Sequence, residues 1–581
     1  MSNRKTTNPI FRMWQRIQQR YSANRNQWIG IGIVIGLIIL NIVPFVIIVL
    51  SSFRASGTNL WADFTFQNWV LFVENSGPVI LNTFVFATGS AILTTISAGG
   101  IAWVIARTDA PFRRLYYFTL FLVFFYPPVV IETVWIRLLG ENGLYPALIG
   151  INSFNIYSMA GMVIVQSVRL LPIGMILLIP LFKSIDKTLE DAARTSGAGL
   201  LQTVRYVTGP LLLPGMAVVF VFAFLITLES FRVPLIIGLP AEIPVLAIEV
   251  YQSTNTPPVE YGFAMAQAVF LVGVSLPLLY LYKRLLGRTN QYVTVSGEGF
   301  VADNVETGRW KYVYSAVAGI FIVFTVVVPG LFMVYNSLLP YYMPPHIMPL
   351  EQIASSFSLD GYRALFDNSE LLDAAKNSFL VAFISAFLLT GTGIVIAWVV
   401  NKSEIRYKKL IDYLAFFPIG IPAVSLALAM MVLYLRFLDF IPIYGTLAIF
   451  LVAFYIKYIP SNVRTMETAV LQVDKSLIEA GSVAGASVSR SIYSLLVPVI
   501  FNLTRISWIL SFSFIAMEMP IVMMLRSPET PMVSSILYRI SNQASSGAET
   551  YAFGVCITAL FVAVVLLLHS TKYKRFNLFR W

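Results

Sequence analysis

Between Arg25 and Arg54 the chain carries no charged residue, and the apolar run at 28–52 is long enough to cross a bilayer as a helix, which takes about 20 residues. In hydrocarbon a backbone has to satisfy its own hydrogen bonds, so such a run is expected to form a membrane-spanning helix. Comparable runs lie at 79–106, 115–139, 156–181, 211–235 and 262–285, and a second six at 313–338, 377–400, 409–435, 444–462, 499–524 and 550–570. The expectation is about twelve spans in two sixes. Pro44, Pro127, Pro128, Pro172, Pro329, Pro418, Pro422 and Pro460 fall inside or at the ends of these runs, where neighbouring helices can satisfy the carbonyls that proline leaves free.

Composition supports this reading and removes other classes. With 57% hydrophobic and 12% charged residues and a mean hydropathy of +0.76, the chain is outside the range of ordinary soluble domains. One cysteine, Cys556, excludes an intramolecular disulfide framework, and two histidines, His346 and His569, leave little for a histidine-based metal or catalytic centre. The net charge of +11 reads as basic residues held on the cytoplasmic side rather than as a nucleic-acid surface. Arg4, Lys5, Arg12, Arg16, Arg20 and Arg25 precede the first span; Arg107, Arg113 and Arg114 follow the second; Lys402, Arg406, Lys408 and Lys409 follow the eighth; Lys572, Lys574 and Arg575 follow the twelfth. Both termini are therefore expected in the cytoplasm. The loop before the eighth span carries Glu351, Asp360, Asp367, Glu370 and Asp373 and is expected outside. Pro9, Phe11, Trp14, Ile17 and Tyr21, with arginines between them, predict a short amphipathic helix on the inner leaflet.

The two sixes are an internal duplication. Pro44 with its SSF matches Pro329 with its NSL, Asn82-Thr83 matches Asn377-Ser378, Ala102-Trp103 matches Ala397-Trp398, and Arg169 to Pro172 matches Lys457 to Pro460. The offset drifts from 285 to 295 and settles at 288. This divides the chain into a cytoplasmic segment 1–27, a first transmembrane domain 28–285, a polar linker 286–312 and a second transmembrane domain 313–581.

The most specific pair lies between the fourth and fifth spans of each half. Asp186 to Gly199 reads DKTLEDAARTSGAG and Asp474 to Ser487 reads DKSLIEAGSVAGAS, with six of fourteen positions identical. Asp186 and Asp474 can each cap a short helix. Ala192, Ala193 and Ser196, and in the second copy Ala480, Gly481 and Ala484, permit close approach, and Gly197 and Gly485 can end the helix in a left-handed turn. Pro210 and Pro498 each follow thirteen residues beyond the glycine.

Asp191 to Pro210 and Glu479 to Pro498 resemble the EAA loop of the binding-protein-dependent ABC importer permeases. Asp191 stands where the family has Glu, Gly481 where it has the second Ala, and Gly209 and Val497 where it has Leu. The resemblance implies an all-α polytopic membrane protein of two tandem six-helix permease domains in the bacterial inner membrane. It also implies that Asp191, Ala192, Ala193, Gly197, Glu479, Ala480, Gly481 and Gly485 form two coupling loops for an ATPase. No G-x-x-x-x-G-K-[ST] pattern occurs in the chain, so hydrolysis is expected in a separate subunit. The implied partners are two ATPase copies, an extracytoplasmic binding protein and the bilayer, with no cofactor and no nucleic acid. The fused format is most similar to the ferric-iron permeases, with thiamine, polyamine and aminophosphonate importers as alternatives.

Acids within the spans are costly and need a reason. Glu132, Glu229 and Glu518 are candidates for a substrate path suited to a hard cation, against the simpler possibility of pairing with Arg232 or with neighbouring helices. A six-plus-six repeat also describes the major facilitator transporters. Those place a basic signature between the second and third spans, where this chain reads RTDAPFRRLYY and NKSEIRYKKLIDY without the G-x-x-x-D-R-x-G-R-R form.

Overall fold

The computed structural model describes residues 27–59, 62–141, 143–150, 154–184, 187–293, 307–474, 476, 481, 490, 492–541 and 548–570. The expected N-terminal amphipathic helix and the middle of the expected linker lie outside these residues.

The described elements are helices, which makes this an all-α polytopic membrane protein. In chain order they include α1 (Gln27–Ser52), α2 (Gly77–Arg107), α3 (Arg113–Phe125), α4 (Pro128–Leu139), α5 (Met159–Lys183) and the short α6 (Lys187–Thr195). There follow α7 (Arg205–Leu228), α8 (Tyr261–Gly287), α9 (Trp310–Ser337), α10 (Ser369–Lys402), α11 (Lys408–Gly420), α12 (Ala423–Phe437), α13 (Leu447–Leu471), α14 (Ile492–Ala516) and α15 (Ala548–Ala563). Among the described residues nine helices are long and apolar enough to cross a membrane, and the bent pairs α3–α4 and α11–α12 raise this to eleven if each is one span. α15 is apolar but shorter.

The third and ninth runs are broken at their prolines. The chain bends by 110° between α3 and α4 and by 103° between α11 and α12. The cause is local: Tyr126 precedes Pro127, Pro127 precedes Pro128, and Ile421 precedes Pro422, and all three stand at ψ near 120°. Proline's ring excludes its predecessor from the helical region. Prolines inside longer helices are absorbed differently. A turn of π type runs at Ile38–Ile42 ahead of Pro44, at Val323–Val327 ahead of Pro329, at Val204–Thr208 ahead of Pro210 and at Ile492–Leu496 ahead of Pro498. Val43 and Val328 each donate to a carbonyl five residues back, Ile38 and Val323 respectively, widening the helix where proline has no N–H to give.

The chain forms two compact units that follow a different partition from the repeat. One draws on Met1–Phe64 and Lys376–Thr530, the other on Thr65–Ala375 and Pro531–Trp581. In the first unit α1 lies against the second half: Asn41, fully buried, donates to the Leu414 carbonyl at 2.8 Å, and Phe45 meets Phe417 edge-on with ring centroids 5.5 Å apart. In the second unit α9 runs along α3 and α4. Tyr126 donates to the Val326 carbonyl at 3.1 Å and Arg137 to Asn336 at 2.7 Å. At the start of α9, Thr307 and Lys311 bond to Asp109.

Within the second unit α2 packs on α5 and α7. A Cβ on Gly174 would stand 2.8 Å from that of Ala98, so a seam of small residues brings α5 against α2. Along it Ser167 donates to the Ser90 carbonyl at 3.2 Å. Close small-residue contact and interhelical hydrogen bonds hold helices together where lipid offers no hydrophobic drive.

Candidate coupling loops and membrane carboxylates

The loop after α5 is built as the sequence expects in its described part. α6 spans Lys187–Thr195, and Gly197 follows at φ +89°. The amide of Ser196 bonds the Ala192 carbonyl at 3.1 Å, and that of Ala198 reaches back to Ala193 at 3.0 Å. These bonds satisfy carbonyls that the helix end leaves unpaired, and glycine takes the left-handed turn without a Cβ clash. Asp191, Ala192 and Gly197 are exposed and Ala193 half-buried. Asp186, the expected cap, lies outside the described residues.

One residue before Asp191 the situation reverses. Glu190 is 6% exposed, and it accepts a hydrogen bond from the Thr208 hydroxyl at 2.7 Å and an ion-paired one from Arg107, which is 0% exposed. Arg107 is the last residue of α2, and Thr208 immediately precedes Gly209, which begins the regular α-helical part of α7. Glu190 therefore joins the C-terminal end of one spanning helix to the N-terminal part of another. A cation at a helix C-terminus and an anion near a helix N-terminus both complement the peptide dipoles.

Sequence reasoning used Arg107 only to orient the chain and passed over Glu190. The signal was available in the repeat, because position 190 corresponds to Ile478 and position 208 to Leu496. An apolar residue at both positions of the second copy marks them as inward-facing.

In the second loop Asp474 accepts the Ser476 amide at 2.8 Å, the bond expected of a cap. That amide bond, with the Ser476 hydroxyl, holds the Asp474 carboxyl below its ordinary value, against a small opposing effect of burial and with help from Lys402. Gly481 is helical and buried. Glu479, Ala480 and Gly485 lie outside the described residues. Lys402, at the end of α10, donates to the Val473 carbonyl at 2.6 Å, and Leu496 is buried in a cluster with Ile394, Ala397, Met466, Ala469, Val470, Val473 and Ile500.

The three membrane carboxylates have different surroundings. Glu132 on α4 is 1% exposed, and neither carboxylate oxygen has a hydrogen-bond partner among the described residues, while Arg232 and Arg169 act on it electrostatically. Glu229, at the end of α7, acts in turn on Arg169. Two of the sequence's candidates thus share one charged group in the second unit. Beside it Gln166 bonds Thr227 and Ser230, each at 3.3 Å. Glu518 belongs to the first unit, and its carboxylate accepts the amides of Ile521 at 3.1 Å and Val522 at 3.3 Å. It caps the short helix Pro520–Leu525. Among the described residues no three His, Cys, Asp or Glu side chains gather as metal ligands.

Residues 98–290 match the family described as the binding-protein-dependent transport system inner membrane component. The chain is similar to the ferric transport system permease protein FbpB of Actinobacillus pleuropneumoniae, at 23% identity over 84% of this chain and 70% of that protein. It also resembles the Fe(3+)-transport system permease protein FbpB 2 of Haemophilus influenzae, at 21% identity over 77% of this chain and 81% of the relative. The molybdenum transport system permease protein ModB of Escherichia coli is 28% identical over 31% of this chain and 79% of its own length. With the matched domain at residues 98–290 and its multiple apolar helices, the chain is similar over most of its length to the inner-membrane permeases of ABC importers, those for ferric iron among them.

Proposed function

We propose that this chain is the membrane subunit of an ATP-driven importer that takes up ferric iron delivered by an extracytoplasmic binding protein. Two copies of a separate ATPase engage it, one at Asp191 to Gly197 and one at Glu479 to Gly485, in the cytoplasm with both termini. The observation that carries this reading is the exposed Asp191 and Ala192 on a short helix stopped at Gly197, a compact knob between two spans. Closure of the ATPase pair draws the two knobs together and shifts the spans between inward and outward access. The descriptions of the two ferric relatives support the substrate. Glu132 and Glu229 are placed on its path, with the unpartnered oxygens of Glu132 available to a hard cation.

The test is uptake of radiolabelled ferric iron into proteoliposomes holding the full chain, its ATPase and its binding protein. Joint replacement Ala192→Trp and Ala480→Trp is expected to cut uptake at least tenfold, within the usual range of coupling energies, while the chain remains inserted. Unchanged uptake in the double variant would sink the coupling assignment. Uptake of thiamine in place of iron by the unmodified assembly would overturn the substrate.

A further inference from the structure

We infer that Arg107 and Glu190 are positioning residues that clamp the first coupling loop to α2. The inference rests on the reading of that loop as an ATPase contact. A knob moved by an ATPase is continuous in sequence with α5 before it and α7 after it, so those spans receive its motion directly. α2 does not follow in sequence, yet its last residue, Arg107, is fully buried against Glu190 on α6. The Thr208 hydroxyl holds the other oxygen of the same carboxylate, fixing it between the two spans. A buried guanidinium–carboxylate pair is directional and weakly screened, so it transmits displacement rather than yielding to it. Farther along, α2 is packed on α5 at the seam of Ala98 and Gly174, so a clamp at its end lets α2, α5 and α7 move as one body.

A purely structural role would leave a different trace from a clamp. The assay uses the full chain with its ATPase subunit in lipid nanodiscs. In a Cys556→Ser background, spin labels are placed at Leu189, 48% exposed on α6 and outside the ATPase contact, and at Ile96, 62% exposed on α2. In the otherwise unmodified chain the label separation is expected to be the same without nucleotide and with ATP bound. In Glu190→Gln it is expected to change on ATP binding, with the ATPase still attached and substrate transported per ATP lowered about tenfold. A separation as constant in Glu190→Gln as in the parent overturns the clamp.

Should Glu190→Gln fail to insert, the double variant Arg107→Gln, Glu190→Gln removes both charges of the pair and leaves no ion buried alone, and the same nucleotide-dependent separation is expected. The Ala192→Trp variant tells the two ideas apart. If it keeps both the ATPase and uptake, the coupling reading fails and the clamp with it. If it releases the ATPase while Glu190→Gln behaves as the parent, the clamp alone fails.

Discussion

The first copy of the repeated motif is tied down by charge, whereas the chain flanking its second copy is held by apolar packing and by a cation on a carbonyl. Where Glu190 meets Arg107 and Thr208, the second half has Ile478, Lys402 and Leu496. Lys402 gives its ammonium to a carbonyl, that of Val473, and Leu496 sits in an apolar cluster. The same contrast recurs deeper in the membrane. Glu132 follows Pro128 by four residues and is buried without a hydrogen-bond partner among the described residues, whereas Leu426, apolar and equally buried, follows Pro422 by four. Arg169 stands in the field of Glu132, while its counterpart Lys457 donates to the Ile421 carbonyl at the chain break, at 3.0 Å. The backbone devices are the same in both halves: proline breaks, wide turns before proline and a glycine after the acid-Ala motif. The duplication thus preserves where the chain bends and exchanges the chemistry that holds the bends in place. An ionic anchor depends on each partner singly; an apolar one is spread over many contacts.

The sharpest way to break this comparison is to remove one partner on each side. Arg107→Leu strands the Glu190 carboxylate in a buried site, and breaking such a pair costs about 3–5 kcal/mol. The expected sign is a large loss in unfolding free energy of the purified chain in mixed micelles. Leu496→Ala probes the other anchor and is expected to cost about 3 kcal/mol through lost burial and a residual cavity. Lys402→Leu is expected to cost about 1.5 kcal/mol, the range of a hydrogen bond to a charged group. If Arg107→Leu and Lys402→Leu proved equal, the two anchors would not differ in kind. Thr208→Val is expected to be milder still, about 1 kcal/mol, because Arg107 continues to hold Glu190.

The sequence carries the parts of this comparison unequally. The spans are legible because a charge-free stretch of membrane length has so few stable forms, and the stop at Gly197 is legible because few residues other than glycine turn left-handed at low cost. The break at Pro127 and Pro128 was legible and Pro422 was visible as a proline, but the angles of 110° and 103° were not. Proline can either break a helix or be absorbed by a wide turn, as Pro44 and Pro329 are. Neighbour choice was the least legible. An apolar span carries no pattern naming its partner, and only Asn41 on α1, buried on the Leu414 carbonyl, hints that the first span lies with the second half. Glu190 was missed for a related reason: one acid among three in a polar loop reads as solvated until its equivalent, Ile478, is set beside it.

The smallest expected effect separates the two loops by pH. The Asp474 carboxyl is held below its ordinary value of 3.8, first by the Ser476 amide. A carboxyl whose folded value is depressed binds protons more readily in the unfolded chain, so its stabilisation is complete above 3.8 and is lost as pH falls through the lower folded value. The acceptor for the Ser476 amide disappears as that proton binds, so the first turn after Asp474 is expected to fray as pH falls through that lowered value. Amide exchange at Ser476, corrected for its intrinsic pH dependence, measures this. Protection is expected to decline on acidification in the parent and to be low at every pH in Asp474→Ala. Asp474→Asn should keep protection without the acid limb, because its amide oxygen accepts the same bond but does not titrate. An acid limb that survived in Asp474→Asn would assign the loss to another group, leaving the second loop held by its apolar cluster and Lys402 without a titrating cap.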